Sequence, residues 1–148
     1  MPEYRRAVEQ LRAQETDRQR LIIVGKSMGG RVASLVADEL FAAGLIDGLV
    51  CLGYPFHPPA KPENLRTAHL EALRCPALII QGERDPFGAR AEVEGYRLSD
   101  KIEMRWAGTG DHDLGPRGGS GFTRAANLAL AADAIAAFAG RVGAPLRS

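Results

Sequence analysis

The sequence lacks any apolar run approaching the roughly 20 residues that a membrane span requires, and its first stretch, Met1 to Arg20, is charged where a signal peptide would be apolar. It also lacks an excess of charge of one sign. Nineteen basic side chains stand against 18 acidic ones, a formal charge of +1, and the signs are interspersed. This argues against a surface that tracks nucleic-acid phosphates. Cysteine is scarce: Cys51 lies in an apolar run and Cys75 precedes Pro76, and neither has a CxxC or Cys/His neighbourhood suited to metal or redox work. Both are read as small buried hydrophobes. No repeat or low-complexity block is present. The expectation is a cytoplasmic protein with no nucleic-acid or membrane partner and no bound metal. What is there, 148 residues of which 45% are apolar, suits one domain over 1–148 with an ordinary core.

Periodicity sets the order of elements. Pro2 to Arg18 places Tyr4, Ala7, Val8 and Leu11 on one face, a surface helix. Leu21 to Val24 is a continuous apolar run ended by Gly25, the mark of a parallel strand covered on both faces. Met28 to Ala43 is helical on Val32, Leu35, Val36 and Leu40, and Gly44 stops it. Gly48 to Gly53 is the second strand, followed by a proline-rich stretch, and Glu63 to Leu73 is a short helical piece. Ala77 to Gln81 is the third strand, and Ala89 to Leu98 a helix. Lys101 to Trp106 alternates strictly, predicting a strand near a sheet edge with one wet face. The last helix, Thr123 to Ala139, should bury Leu128, Ile135 and Phe138. Strands alternating with helices predict an α/β fold of about four parallel strands with helices on both faces. The loops after the strands then share one rim, where ligands gather in such sheets.

On that rim, Gly25-Lys26-Ser27-Met28-Gly29 is G-x-S-x-G between a strand and a helix. The tight turn would hold Ser27 in a strained conformation, with small residues needed two places on either side, and the Met28 N–H at the helix start could face an oxyanion. A phosphate-binding loop does not fit, because the glycine it needs five places before Gly25 is Arg20. A plain glycine-rich turn with a capping serine is the competing reading. A serine nucleophile needs a base and a group to orient it. His112 lies in the loop after the fourth strand, on the order of 15 Å away if strands lie in sequence order at about 4.8 Å spacing, and a fifteen-residue loop can cover that. Asp85 follows the third strand and so shares the rim, whereas Asp47 and Asp100 precede strands. Glu83 competes with Asp85, which is favoured because Pro86 restricts its backbone. Tyr54, Phe56, His57 and Phe87 are candidate pocket walls, and His57 and His69 are poorer bases than His112.

The stretches GKSMGGR, GYPFHPP with KPENLRTAHL, QGERDPFG and GDHDLGPR, with the GFTRA helix start, resemble the α/β-hydrolase-like family that includes bacterial dienelactone-hydrolase-like proteins, mammalian testis-expressed hydrolase-like proteins and a subunit of the NSL chromatin complex. The resemblance runs from about Leu21 to Phe138. It implies Ser27 as nucleophile, Asp85 as orienting acid and His112 as base in chain order Ser, Asp, His, with a hydrolytic reaction and no cofactor. It leaves the substrate open.

The family pattern also has an earlier strand whose loop, often His-Gly-rich, supplies a second oxyanion donor. Nothing before Leu21 reads as such a strand, so the chain resembles the C-terminal two-thirds of a hydrolase. Two expectations follow. The oxyanion hole has one evident donor, Met28 N–H, and Leu21 to Val24 exposes an apolar strand edge that could pair with a second copy to form a homodimer. The function expected is cleavage of a small carboxylic ester, thioester or lactone. The alternative is a non-catalytic binding or scaffold domain of hydrolase ancestry.

Overall fold

The computed structural model describes residues 2–13 and 20–142. Its elements run α1 (Pro2–Ala13), β1 (Ile22–Lys26), α2 (Met28–Ala42), β2 (Gly48–Leu52), α3 (Ala68–Glu71), β3 (Ala77–Gly82), α4 (Arg90–Val93), β4 (Ile102–Ala107) and α5 (Arg124–Arg141). The end of the first expected helix, residues 14–18, lies outside the described residues. The four strands form one parallel sheet in the order β1-β2-β3-β4. All four carboxyl ends therefore lie on one rim, and the loops carrying Ser27, Gly53, Asp85 and His112 rise from it in that order.

Strand alternation divides the core in two. Ile23, Leu49, Cys51, Ala77 and Ile79 face a cluster with Val8 of α1, Ala33, Ala37 and Leu40 of α2, Leu70 of α3 and Val93 of α4, and Ile102, Met104 and Trp106 pack at its border. Val50, Leu78, Ile80 and Ala107 face the other way, against Ala131, Ala134 and Phe138 of α5. Helices thus stand on both faces of the sheet. The solvated side of β4 carries Glu103, which accepts hydrogen bonds from Arg141 at 2.8 and 3.0 Å. Among the described residues no helix is long and apolar enough to cross a membrane.

Several local expectations change. The helical piece expected over 63–73 shrinks to α3, because residues 58–64 are taken up by successive turns, Lys61 N–H to Pro58 O and Asn64 N–H to Lys61 O, both 3.0 Å. The helix expected over 89–98 shrinks to α4, because Gly95 and Tyr96 bond three residues back instead of four. Leu128, expected in the core, is 47% exposed. α5 approaches the sheet through the small Ala131 and Ala134, and the buried stripe starts at Asn127, one position earlier. β1, expected to be covered on both faces, is a terminal strand whose Val24 is 53% exposed. The reason is that α5 leans on β3 and β4 and leaves the far side of β1 open.

Candidate active site

Ser27 sits between β1 and α2 at φ 52°, ψ −122°, a left-handed conformation that side-chain-bearing residues rarely adopt. The surrounding sterics explain how it is held. A Cβ on Gly25 would lie 2.5 Å from the Gly29 carbonyl carbon and the Gly30 nitrogen, and one on Gly30 would lie 2.9 Å from the Gly25 oxygen. A Cβ on Gly29 would meet nothing within 4 Å. The close approach is therefore between Gly25 and the peptide joining Gly29 to Gly30, so a side chain is excluded at positions 25 and 30, while position 29 has room for one. The Ser27 N–H donates to Leu52 O at 2.8 Å, which ties the turn to the end of β2. Ser27 makes no capping bond with its side chain, so the capping alternative does not hold.

The hydroxyl points instead at His112. Ser27 Oγ lies 2.9 Å from His112 Nε2, and His112 Nδ1 lies 2.9 Å from Asp85 Oδ2. An ionised carboxylate only accepts, so Nδ1 carries the proton and Nε2 is left to accept from the serine hydroxyl. The three residues come from three loops spanning the whole sheet, and the loop after β4 does reach across three strands. Asp85 is fully buried, and its second oxygen accepts from the Phe87 N–H at 2.8 Å. Burial raises its carboxyl above the ordinary range, with the bonds to His112 and Phe87 N–H pulling the other way. The Phe87 ring lies on the imidazole, centroids 4.3 Å apart.

The loop that delivers His112 is fixed at many points. Asp111 Oδ1 accepts from Asp113 N–H at 2.9 Å and Gly115 N–H at 2.8 Å, closing a turn around His112. Thr109 and Leu114 have positive φ, 45° and 65°. Arg84 N–H donates to Gly110 O at 2.9 Å. From α5, the buried Asn127 Nδ2 donates to Gly108 O at 3.2 Å and Leu114 O at 2.9 Å. Asp113, next to the imidazole, pairs with Lys26 at 3.0 Å, and that bond holds its carboxyl below the usual range.

Glu83, the rival orienting acid, is occupied elsewhere. It accepts from Thr109 N–H at 2.9 Å and from Arg90 at 3.0 Å, and the Thr109 bond lowers its pKa. Tyr54, Phe56 and His57 are buried in the core and do not form pocket walls. Their loop turns inward because buried Gln81, at the end of β3, bonds both the N–H and the carbonyl of Tyr54, at 2.7 and 3.1 Å. His57 bridges Pro58 O at 2.7 Å and Glu92 at 3.2 Å. His69 lies 2.8 Å from Ser34 Oγ and 3.1 Å from the Tyr54 hydroxyl, and burial lowers its pKa. Periodicity gives no role to Gln81, seen only as the end of the third strand, or to Asn127. A lone amide closing the apolar run ALIIQ is the one signal that would have found the first.

The N–H of Met28 opens α2 where first-turn amides lack intrahelical partners. Beside it β1 is the terminal strand among the described residues, so no loop from a further strand stands on that side. Among the described residues no group of three His, Cys, Asp or Glu side chains could hold a metal. Such a rim can activate a hydroxyl by general base and stabilise a developing oxyanion.

Comparison with known proteins gives the same fold. The esterase domain of a Rhodothermus marinus protein superposes with a TM-score of 0.66 at 17% identity, covering 95% of this chain and 67% of that one. The model of the alpha/beta hydrolase domain matches residues 1–140. With four parallel strands in one sheet and helices on both of its faces, the chain belongs to the alpha/beta-hydrolase family.

Proposed function

We propose that this protein is a serine hydrolase that cleaves small carboxylic esters, thioesters or lactones by acyl transfer, working in the reducing cytoplasm. The single observation that carries the reading is the unbroken relay of two 2.9 Å contacts, Ser27 to His112 and His112 to Asp85, starting from a strained serine. Ser27 Oγ attacks the carbonyl carbon as its proton passes to His112 Nε2. Asp85 fixes the tautomer and stabilises the imidazolium, and the Met28 N–H faces the oxyanion. Collapse breaks the bond to the leaving atom, which takes the proton from His112. Water, activated by the same imidazole, then releases the acid and restores Ser27. The scheme calls on no metal or organic cofactor. The compartment is supported by two unpaired thiols, Cys51 and Cys75, whose burial pushes each to about 12.

A second reading, a binding or scaffold domain of hydrolase ancestry, is favoured by one feature: β1 is the terminal strand among the described residues, so no loop of a further described strand offers a companion donor to Met28 N–H on that side. Loss of one such donor lowers rates by about 10²–10³. A fluorophosphonate probe separates the two. Covalent labelling of the native protein that disappears in Ser27→Ala is the expected result. Folded protein that takes no label would support the scaffold reading.

A further inference from the structure

A half-open cleft of about 120 Å³ lies beside the relay, and none of the steps above uses it. His112 forms part of its wall, and Leu52, Leu114 and Leu128 make its apolar lining. Its charged edge comes from Lys26, Asp113 and Arg124. The cleft explains why Leu128 is exposed: the side chain lines a space instead of filling the core.

Two observations indicate what would occupy it. The first is its place relative to the chemistry. His112 Nε2 hands its proton to the leaving atom, so the departing group leaves Ser27 on the imidazole side. A space walled by that imidazole receives the leaving group rather than the acyl group. The second is charge. Lys26 is paired with Asp113 at 3.0 Å, while Arg124 acts on the same carboxylate only at longer range and makes no hydrogen bond or ion pair among the described residues. Two cations and one carboxylate leave one positive charge at the edge of an apolar space. A volume near that of a benzene-sized cavity suits a small ring or short chain.

We infer that the cleft is a leaving-group subsite selecting esters or thioesters whose alcohol or thiol is small, apolar in its body and terminated by a carboxylate, which Arg124 and Lys26 receive. This rests on the hydrolase reading above. The Arg124 guanidinium offers the fork that matches a carboxylate, and Lys26 shares its charge between that group and Asp113. In the reaction the C–O bond to the departing alcohol breaks, the His112 proton goes to that oxygen, and the product alcohol is left in the cleft with its carboxylate still paired.

The test compares para-acetoxybenzoate with its neutral counterpart para-acetoxybenzamide, whose phenol is intrinsically the slightly better leaving group, so a preference for the anion has to come from the protein. The quantity read is the ratio of their kcat/KM values. The expected ratio favours the anionic ester by about tenfold or more and collapses toward one in Arg124→Gln and in Lys26→Gln, whose exposed positions do not threaten folding. A ratio near one in the native protein, or one that survives both substitutions, overturns the subsite. If neither ester turns over, the hydrolase reading fails and the subsite is still decided by binding. para-Hydroxybenzoate titrated into Ser27→Ala should bind saturably and lose about tenfold in affinity in the added Arg124→Gln background. No saturable binding at millimolar concentration overturns it.

Discussion

Asp85 shows how one residue divides stability from chemistry. Its carboxyl is fully buried, and burial raises its pKa even with the His112 and Phe87 N–H bonds in place. The folded state therefore holds this proton more tightly than the unfolded chain does. The stability the group contributes is present below the ordinary carboxylate pKa and is lost as pH rises through the raised value. In the proposed mechanism the imidazole needs the ionised form, which at neutral pH does not favour the fold. In Asp85→Asn the amide can donate to Nδ1, which places the ring proton on Nε2 and removes the acceptor for Ser27. We expect kcat/KM to fall by about 10⁴. We also expect the melting temperature at about pH 7 to be no lower than that of the native protein, with any gain shrinking toward about pH 4 as native Asp85 protonates. Parallel rate and thermal-unfolding measurements check both. A variant that is inactive and also strongly destabilised at neutral pH would mean that Asp85 acts mainly by holding its loop.

Among the elements, α5 does the most to place His112. It covers the sheet with small alanines and spends its buried polar position, Asn127, on two carbonyls of the loop that carries His112. Asn127→Leu keeps the side chain's branching and heavy-atom count and leaves the Gly108 and Leu114 carbonyls without that donor. We expect a loss of about 2 kcal/mol in urea unfolding, together with fluorophosphonate labelling of Ser27 slower by about tenfold as the imidazole drifts. Destabilisation with an unchanged labelling rate would show that the loop is held well enough by Asp111 and Arg84. Periodicity carried the strands and long helices because each buries a contiguous apolar face, as GLVCL and ALIIQG do. It misplaced the α5 stripe because alanine carries little apolar signal, and the helix packs on alanine. It overextended α3 and α4, since the turns closed by Lys61, Asn64 and Gly95 use bonds three residues back that a hydrophobic pattern does not register. Ser27, Asp85 and His112 were readable as a set because parallel strands in sequence order put all three on one rim. Asn127 and the Lys26 to Asp113 pair depend on loop paths that nothing local in the sequence encodes, and for Gln81 the lone amide closing ALIIQ is the single local sign.

For the whole molecule, the open question is the bare side of β1. Ser27 N–H bonds β2 at Leu52, so by alternation Ile23 and Gly25 also face β2, while the backbone groups of Ile22, Val24 and Lys26 point away from it. Among the described residues no strand meets them. Val24, 53% exposed, adds an apolar side chain to that row of unpaired donors and acceptors, the combination that templates pairing with another chain. We propose that two copies pair through β1 about a twofold axis, joining two four-stranded sheets into one. A self-complementary contact closes on itself and does not propagate into a fibre. Light scattering across a concentration series should then report a mass twice that of the 15.9 kDa chain. Val24→Lys, a charge on an exposed strand position, should return it to a monomer without altering the fold. The cleft beside His112 borders the same side of the sheet through Lys26, so dissociation by Val24→Lys should leave circular dichroism unchanged and alter the para-acetoxybenzoate preference only if the partner copy reaches that cleft. A native protein that stays monomeric at every concentration would remove the dimer and leave the edge protected by its own twist and by the charge of Lys26.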